Sequence, residues 1–147
     1  MMEPATLTSL SGSLMSLFGL LVSLFSVHLG NWLSKLQGLR TRWDINNGSD
    51  DKEIAARREC RYVMAEIYTW QPFVMTLILM IFGGSVLYFF NDVRNSSGVT
   101  FPSIFVYLYN SFFAIMFALQ ILLLFSGWRV GQGLKTDIEA QFPKPKA

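Results

Sequence analysis

Residues 104–128 read IFVYLYNSFFAIMFALQILLLFSGW, which is 25 consecutive positions without an Asp, Glu, Lys or Arg. About 20 apolar residues in a helix are enough to cross the hydrocarbon core of a bilayer. Because lipid offers the backbone no hydrogen-bond partners, an apolar stretch of this length crosses a membrane as a helix. The stretch therefore predicts a transmembrane helix that starts after Pro102 and ends before Arg129.

Two further stretches of the chain have the same character. Residues 14–33 contain only His28 and Asn31 as strongly polar side chains, and residues 73–90 contain no charged residue. Of the 147 residues, 52% are hydrophobic and 15% are charged, whereas about 25% are charged in a typical soluble domain. We therefore predict an all-α integral membrane protein, a single membrane domain over residues 1–147, with spans at about 14–33, 73–90 and 104–128.

The distribution of Lys and Arg predicts the orientation of the chain. Eleven of the twelve lie in the loop 34–71 or the tail 129–147, and the twelfth is Arg94, between the second and third spans. Cytoplasmic segments retain positive charge during insertion. We therefore expect the N-terminus outside and the C-terminus in the cytoplasm, together with the loop 34–71 and the tail 129–147.

With this orientation, a glycosylation acceptor pattern lies in the outer loop. The pattern is Asn95-Ser96-Ser97, and Asn95 is the residue that would be modified. The same pattern at Asn47-Gly48-Ser49 lies on the inner side, where it should stay unmodified.

The loop 34–71 is too short to bury a core of its own. Residues 42–51 have the Asn, Gly, Ser and Asp content of an exposed turn, and residues 52–70 contain neither Gly nor Pro and show helical spacing. We predict a juxtamembrane cytoplasmic helix over 52–70 that continues into the second span through a kink at Pro72.

The helix over 52–70 carries a basic cluster, and the tail carries two glycines. The cluster, Arg57, Arg58 and Arg61, is interpreted as a solvated group near anionic lipid headgroups, with a specific partner site as the alternative. Gly131 and Gly133 are expected to end the third helix.

Small residues form a regular pattern along the first span. They alternate at spacings of three and four and are Ser9, Gly12, Ser16, Gly19, Ser23, Ser26 and Gly30. This small-residue stripe lies on one side of a helix and would allow another helix to approach closely. We favour its use in packing, against the other spans or a neighbouring subunit. The alternative is that several copies line a pore with it.

The third span has a shorter small face and two amides. Ser111, Ala114 and Ala118 could meet the first helix. Polar side chains inside a membrane normally turn toward protein, and those predicted here are His28, Asn110 and Gln120. We interpret the two amides as interhelical hydrogen-bonding groups, with a polar path as the alternative.

The sequence lacks the residue sets of common catalytic and metal centres. It has one His and one Cys, and no GxSxG, HExxH or glycine-rich phosphate loop occurs. The spans contain no charged residue of the kind that ion carriers usually have. The net charge of +2 is too small for a nucleic-acid binder. We therefore expect a protein that is not an enzyme, without cofactor, metal or nucleic acid.

These observations lead to a functional hypothesis. The chain is expected to be a non-enzymatic integral membrane subunit that acts in assembly or stabilisation of a larger membrane protein complex. Its partners would be membrane lipids and other membrane subunits. The alternative is a homo-oligomeric ion channel or transporter component with the first helix at its axis. A plasma membrane or endomembrane location is favoured, with an organellar inner membrane as the alternative.

Overall fold

The computed structural model describes residues 4–96 and 102–143 and contains four α-helices in that part of the chain. They are α1 (Pro4–Ile45), α2 (Asp51–Ile67), α3 (Gln71–Ser96) and α4 (Ser103–Gln141). Three helical segments are long and apolar enough to cross a membrane, namely Ser9–Ile45, Asp51–Asn95 and Ser103–Gln141. The predicted all-α class and the three apolar helices of membrane-spanning length are confirmed. Ser97 of the predicted acceptor pattern lies outside the described residues.

Helices α1 and α4 extend beyond the predicted spans. Helix α1 continues through residues 34–45, and α4 continues through Gly131 and Gly133 to Gln141 instead of ending there. A Cβ atom at Gly131 would lie 2.3 Å from Cε2 of Tyr68, so this glycine is a site of close packing inside the helix. The tertiary contact therefore offsets the low helix propensity of glycine, which costs about 1 kcal/mol per residue.

The chain between α2 and α3 is interrupted before Pro72. Helix α2 ends at Ile67, and residues 68–70 separate it from the first residue of α3, Gln71. Pro72 thus occupies the first turn of α3, where its missing N–H removes no helical hydrogen bond. The indole N–H of Trp32 donates to the carbonyl of Ile67 at 3.1 Å. That bond satisfies one of the carbonyls that a helix end leaves without an intrahelical partner.

The structure divides into two compact units. Of the described residues, unit 2 comprises 28–72 and 122–143. Its buried side chains come mainly from α1, α2 and α4 and include Leu29, Trp32, Leu36, Leu39, Trp43, Arg57, Cys60, Met64, Leu134 and Ile138. The five on α1 alternate at spacings of three and four, which is the spacing of a heptad seam.

Unit 1 comprises residues 4–27, 73–96 and 102–121 of the described chain, and its core is a row of aromatic rings. Phe18 of α1 stacks on Phe113 of α4 with ring centroids 4.7 Å apart. Phe113 lies 5.2 Å from Tyr109, which stacks at 3.8 Å on Phe90 of α3. Aromatic pairs stabilise a core beyond the area they bury. The row therefore joins the three helices of this unit.

Gly83 of α3 permits the close contact with this row. A Cβ atom at Gly83 would lie 2.4 Å from Cε2 of Phe18 and 2.9 Å from Cζ of Phe117. A Cβ atom at the next residue, Gly84, would meet no described atom within 4 Å. A side chain at Gly83 would therefore clash with two aromatic rings, whereas a side chain at Gly84 would not.

We expect Gly83→Ala to destabilise unit 1 and Gly84→Ala to leave it unchanged or slightly more stable. The methyl group at position 83 has to displace the buried ring of Phe18, and such overpacking costs about 1–3 kcal/mol. Alanine at position 84 only removes the helix penalty of glycine, about 1 kcal/mol. Thermal unfolding in detergent, followed by circular dichroism, measures both variants. Equal melting temperatures would contradict the contact between Gly83 and Phe18.

Candidate functional site

The small-residue stripe of α1 lies largely outside the core formed by its own chain. Four of its residues, Ser9, Gly12, Ser16 and Ser23, are exposed, and Gly19, Ser26 and Gly30 are half-buried. The buried face of α1 in unit 1 instead carries Ser11, Phe18 and Val22. Each of these directly precedes a residue of the stripe, and consecutive residues of an α-helix differ by about 100°. The stripe therefore lies beside the buried face.

Two serine hydroxyls of the stripe bond to their own helix. Oγ of Ser16 donates to the carbonyl of Gly12 at 3.1 Å, and Oγ of Ser23 donates to the carbonyl of Gly19 at 2.9 Å. This back-bonding satisfies the hydroxyl donors of Ser16 and Ser23 within α1. The surface around these two serines is thus shallow and has satisfied hydroxyl donors, which are properties that allow close helix contact in lipid.

The two amides of α4 have different environments. Gln120 is 1% exposed, and its Nε2 donates to Oγ of Ser26 on α1 at 2.6 Å. Asn110 is half-buried, and its Nδ2 donates to the carbonyl of Val106 in its own helix at 3.0 Å. Gln120 therefore links α4 to α1, whereas Asn110 bonds within α4.

The short small face of α4 is exposed. Ser111, Ala114 and Ala118 all lie on the surface of unit 1. Besides Gln120, which bonds to Ser26, α4 contacts the stripe through Phe112, whose Cζ would lie 3.5 Å from a Cβ atom at Gly19. The ring of Phe112, which follows Ser111 in the sequence, thus contacts α1, whereas the predicted small residues remain exposed.

The basic cluster of α2 is divided between the interior and the surface. Arg57 is 8% exposed, and its guanidinium lies 4.6 Å from the centroid of the Trp43 ring. It donates to Oδ1 of Asn47 at 2.6 Å, to the Trp43 carbonyl at 3.4 Å and to Oε1 of Gln141. These groups compensate for the burial of a charge. Arg57 thus joins α2 to the C-terminal parts of α1 and α4.

Arg58 and Arg61 keep the exposure that a headgroup or partner contact needs. Arg61 also lines an apolar groove of about 200 Å³ between α2 and α4, which includes Met64 and Ile138. Lys135 of α4 lines the same groove. The surface of α2 therefore combines basic charge with accessible apolar area.

Ion pairs connect the helices of unit 2. Arg42 of α1 lies 2.7 Å from Glu59 of α2, and Arg40 of α1 pairs with Asp137 of α4. All four side chains are at least 38% exposed, so each pair contributes at most about 1 kcal/mol. The pairs therefore contribute little to the stability of unit 2.

His28 lies in a polar cleft of unit 2. The cleft has a volume of about 480 Å³ and also contains Lys35 of α1 and Glu66 of α2. His28 and Lys35 lie seven residues apart on α1, and the fold brings the distant Glu66 of α2 to the same cleft.

Two glycines whose role the sequence analysis missed lie on one face of α4. A Cβ atom at Gly127 would lie 2.1 Å from Cζ3 of Trp32, and one at Gly131 would lie 2.3 Å from Cε2 of Tyr68. Their spacing of four residues is the small-xxx-small pattern of close helix packing, which was the available signal. The rings of Trp32 and Tyr68 occupy the space that side chains at positions 127 and 131 would fill.

The remaining predicted site is Asn95, which is exposed near the C-terminal end of α3. Among residues 4–96 and 102–143, no group of three or more His, Cys, Asp or Glu side chains could hold a metal ion. Comparisons with protein-family models, curated proteins and solved structures find no match to this chain.

We expect Arg57→Met to increase local opening of unit 2 around Cys60. Arg58→Met should leave that opening unchanged. Arg57 makes charge-assisted hydrogen bonds, each worth about 1.5–3 kcal/mol, while Arg58 is exposed. The thiol of Cys60 is fully buried, so its rate of maleimide labelling reports on opening. Loss of about 2 kcal/mol should accelerate labelling roughly thirtyfold in Arg57→Met. Equal labelling rates in the two variants would contradict the structural role of Arg57.

Proposed function

We propose that the chain is a non-enzymatic integral membrane subunit that acts in assembly or stabilisation of a larger membrane protein complex. The supporting observation is the exposure of the small-residue stripe on α1. Between helices in lipid there is no hydrophobic driving force, so association depends on close van der Waals contact. Positions such as Gly12 and Gly30, where a Cβ atom would meet no described atom within 4 Å, provide room for that contact.

The stripe is better suited to protein than to lipid. Ser16 and Ser23 already bond within α1, so a partner helix could approach them without leaving their hydroxyl donors unsatisfied. Its glycines form shallow depressions that a second helix can fill with side chains. The proposed occupant is therefore a membrane helix of another subunit.

The proposal extends to orientation and lipid contact. The Lys and Arg distribution supports an outer N-terminus and a cytoplasmic C-terminus. Helix α2 would then be a juxtamembrane cytoplasmic helix, with Arg58 and Arg61 available to anionic headgroups or to a soluble partner. A plasma membrane or endomembrane is the favoured location, and an organellar inner membrane is the alternative.

A second candidate function is a homo-oligomeric channel or transporter component. The observation that favours it is the exposure of regularly spaced serines, Ser9, Ser16 and Ser23, on one side of α1. Around a symmetry axis these residues would line a narrow path. The two candidates predict different consequences of enlarging the same side chains.

We expect Ser16→Leu and Ser23→Leu to release the chain from its complex. Each variant adds a bulky side chain to the exposed stripe without entering the core of the chain itself. Ser85→Leu on α3 is the matched control, because Ser85 is also exposed and makes the same bond to the residue four positions earlier, at 2.9 Å. The measurement is the mass and composition of the complex purified in mild detergent from its native membrane.

The result separates three cases. Loss of dissimilar subunits in the stripe variants, but not in Ser85→Leu, supports the subunit proposal. A ring of identical chains that stays intact while its bilayer conductance is blocked supports the channel instead. Unchanged mass together with unchanged conductance would refute both uses of the stripe.

The orientation predicts opposite accessibility for two exposed positions. In a Cys60→Ala background, a cysteine at Asn95 should react with an impermeant maleimide on intact cells. A cysteine at Ser49 should react only after the membrane is permeabilised. Both native side chains are exposed, so substitution should not disturb the core. The reverse labelling pattern would show that the orientation inferred from the Lys and Arg distribution is wrong.

A further inference from the structure

The polar cleft of unit 2 lies at the interruption between α2 and α3. Helix α1 contributes His28, Asn31 and Lys35 to it, and the chain around the interruption contributes Glu66 and Gln71. Its volume of about 480 Å³ is large enough for a small polar group. The cleft takes no part in the helix contacts that support the proposed subunit function.

One cation and one anion share this cleft without pairing. Lys35 and Glu66 are both exposed. Within the described part of the chain, the ion pairs join Arg40 to Asp44 and Asp137, and Arg42 to Glu59. Neither Lys35 nor Glu66 belongs to these pairs. Two opposite charges that share a cleft in this way match a ligand that carries both charges.

The two helix ends at the cleft also favour opposite charges. Helix α2 ends at Ile67, directly after Glu66, and a helix C-terminus attracts cations. Helix α3 begins at Gln71, and a helix N-terminus attracts anions. The interruption therefore places a cation-favouring end and an anion-favouring end among the residues of one cleft.

The sequence positions of these residues correspond to the headgroup region of a bilayer. The apolar stretch of α1 ends at Leu33, and that of α3 begins at Phe73. These two ends face the same side of the membrane in either orientation, because they are joined by the loop 34–71. Headgroups lie directly outside the hydrocarbon core. A zwitterion that is abundant at this depth is a phospholipid headgroup.

We propose that this cleft binds the headgroup of an amine-bearing zwitterionic phospholipid. The phosphate lies toward Lys35, and the primary ammonium lies toward Glu66. A primary ammonium donates hydrogen bonds to a carboxylate, whereas a trimethylammonium has no N–H to donate. The imidazole of His28 and the amide of Asn31 provide further polar contacts. The recognition is thus specific for the amine as well as for the phosphate.

The test uses the full chain in a neutral detergent and native mass spectrometry. Phosphatidylethanolamine, phosphatidylcholine and phosphatidylglycerol with identical acyl chains are titrated separately. Phosphatidylethanolamine should bind about tenfold more tightly than phosphatidylcholine, because one charge-assisted hydrogen bond is involved. Glu66→Gln should abolish this preference. Lys35→Gln should weaken the binding of both lipids.

Matched variants distinguish a specific cleft from general surface charge. Glu139→Gln and Lys135→Gln change the same residue types at exposed positions of the same unit, at the apolar groove. They should leave the preference unchanged. Lys35→Arg keeps the charge and should retain binding, which shows that the site remains folded.

Several outcomes would overturn the proposal. One is equal affinity for the ethanolamine and choline lipids in the unchanged chain, and another is a preference that persists in Glu66→Gln. Tightest binding of phosphatidylglycerol would indicate a site for anions only. Displacement of the lipid by free phosphoethanolamine at equal concentration would show that the ligand is a soluble compound and not a lipid.

Discussion

Close contact between glycine backbone and aromatic rings is the constraint on which the packing of this protein depends. Gly83 receives Phe18 in unit 1, and Gly127 and Gly131 receive Trp32 and Tyr68 in unit 2. In lipid, apolar side chains gain little by leaving the solvent, so helix contacts depend on how closely surfaces fit. A glycine lets a ring approach the helix backbone closely. A side chain at any of these three positions would therefore have to displace a ring, whereas one at Gly84 would meet no described atom within 4 Å.

Unit 2 adds a polar constraint to this packing. Burial of the Arg57 guanidinium is favourable only while its partners on α1 and α4 stay in place, because an unpaired buried charge is costly. Because its guanidinium is buried against these partners, Arg57 is not available for contacts at the surface. Of the basic cluster, Arg58 and Arg61 therefore remain exposed, and Arg61 also lines the apolar groove.

Composition predicted the helices well and their packing faces poorly. Runs of apolar residues require helices in lipid, so the three long helices followed from residues 14–33, 73–90 and 104–128. The extension of α4 through Gly131 did not follow, because it depends on the ring of Tyr68, which is distant in sequence. Burial of Arg57 likewise depends on groups from two other helices. The spacing of the stripe was visible in the sequence, but which neighbours cover it was not.

The two seams of α1 suggest how one helix can serve two kinds of contact. Large side chains such as Phe18, Val22 and Leu29 occupy the buried seam, where neighbouring helices of the same chain surround them. The small-residue stripe lies about 100° away and stays mostly open. The glycines at positions 83, 127 and 131 show that small residues already permit close contacts within this chain. An exposed stripe of small residues offers a partner helix the same close approach. The difference in side-chain size between the two seams therefore supports the proposal that the stripe faces another chain.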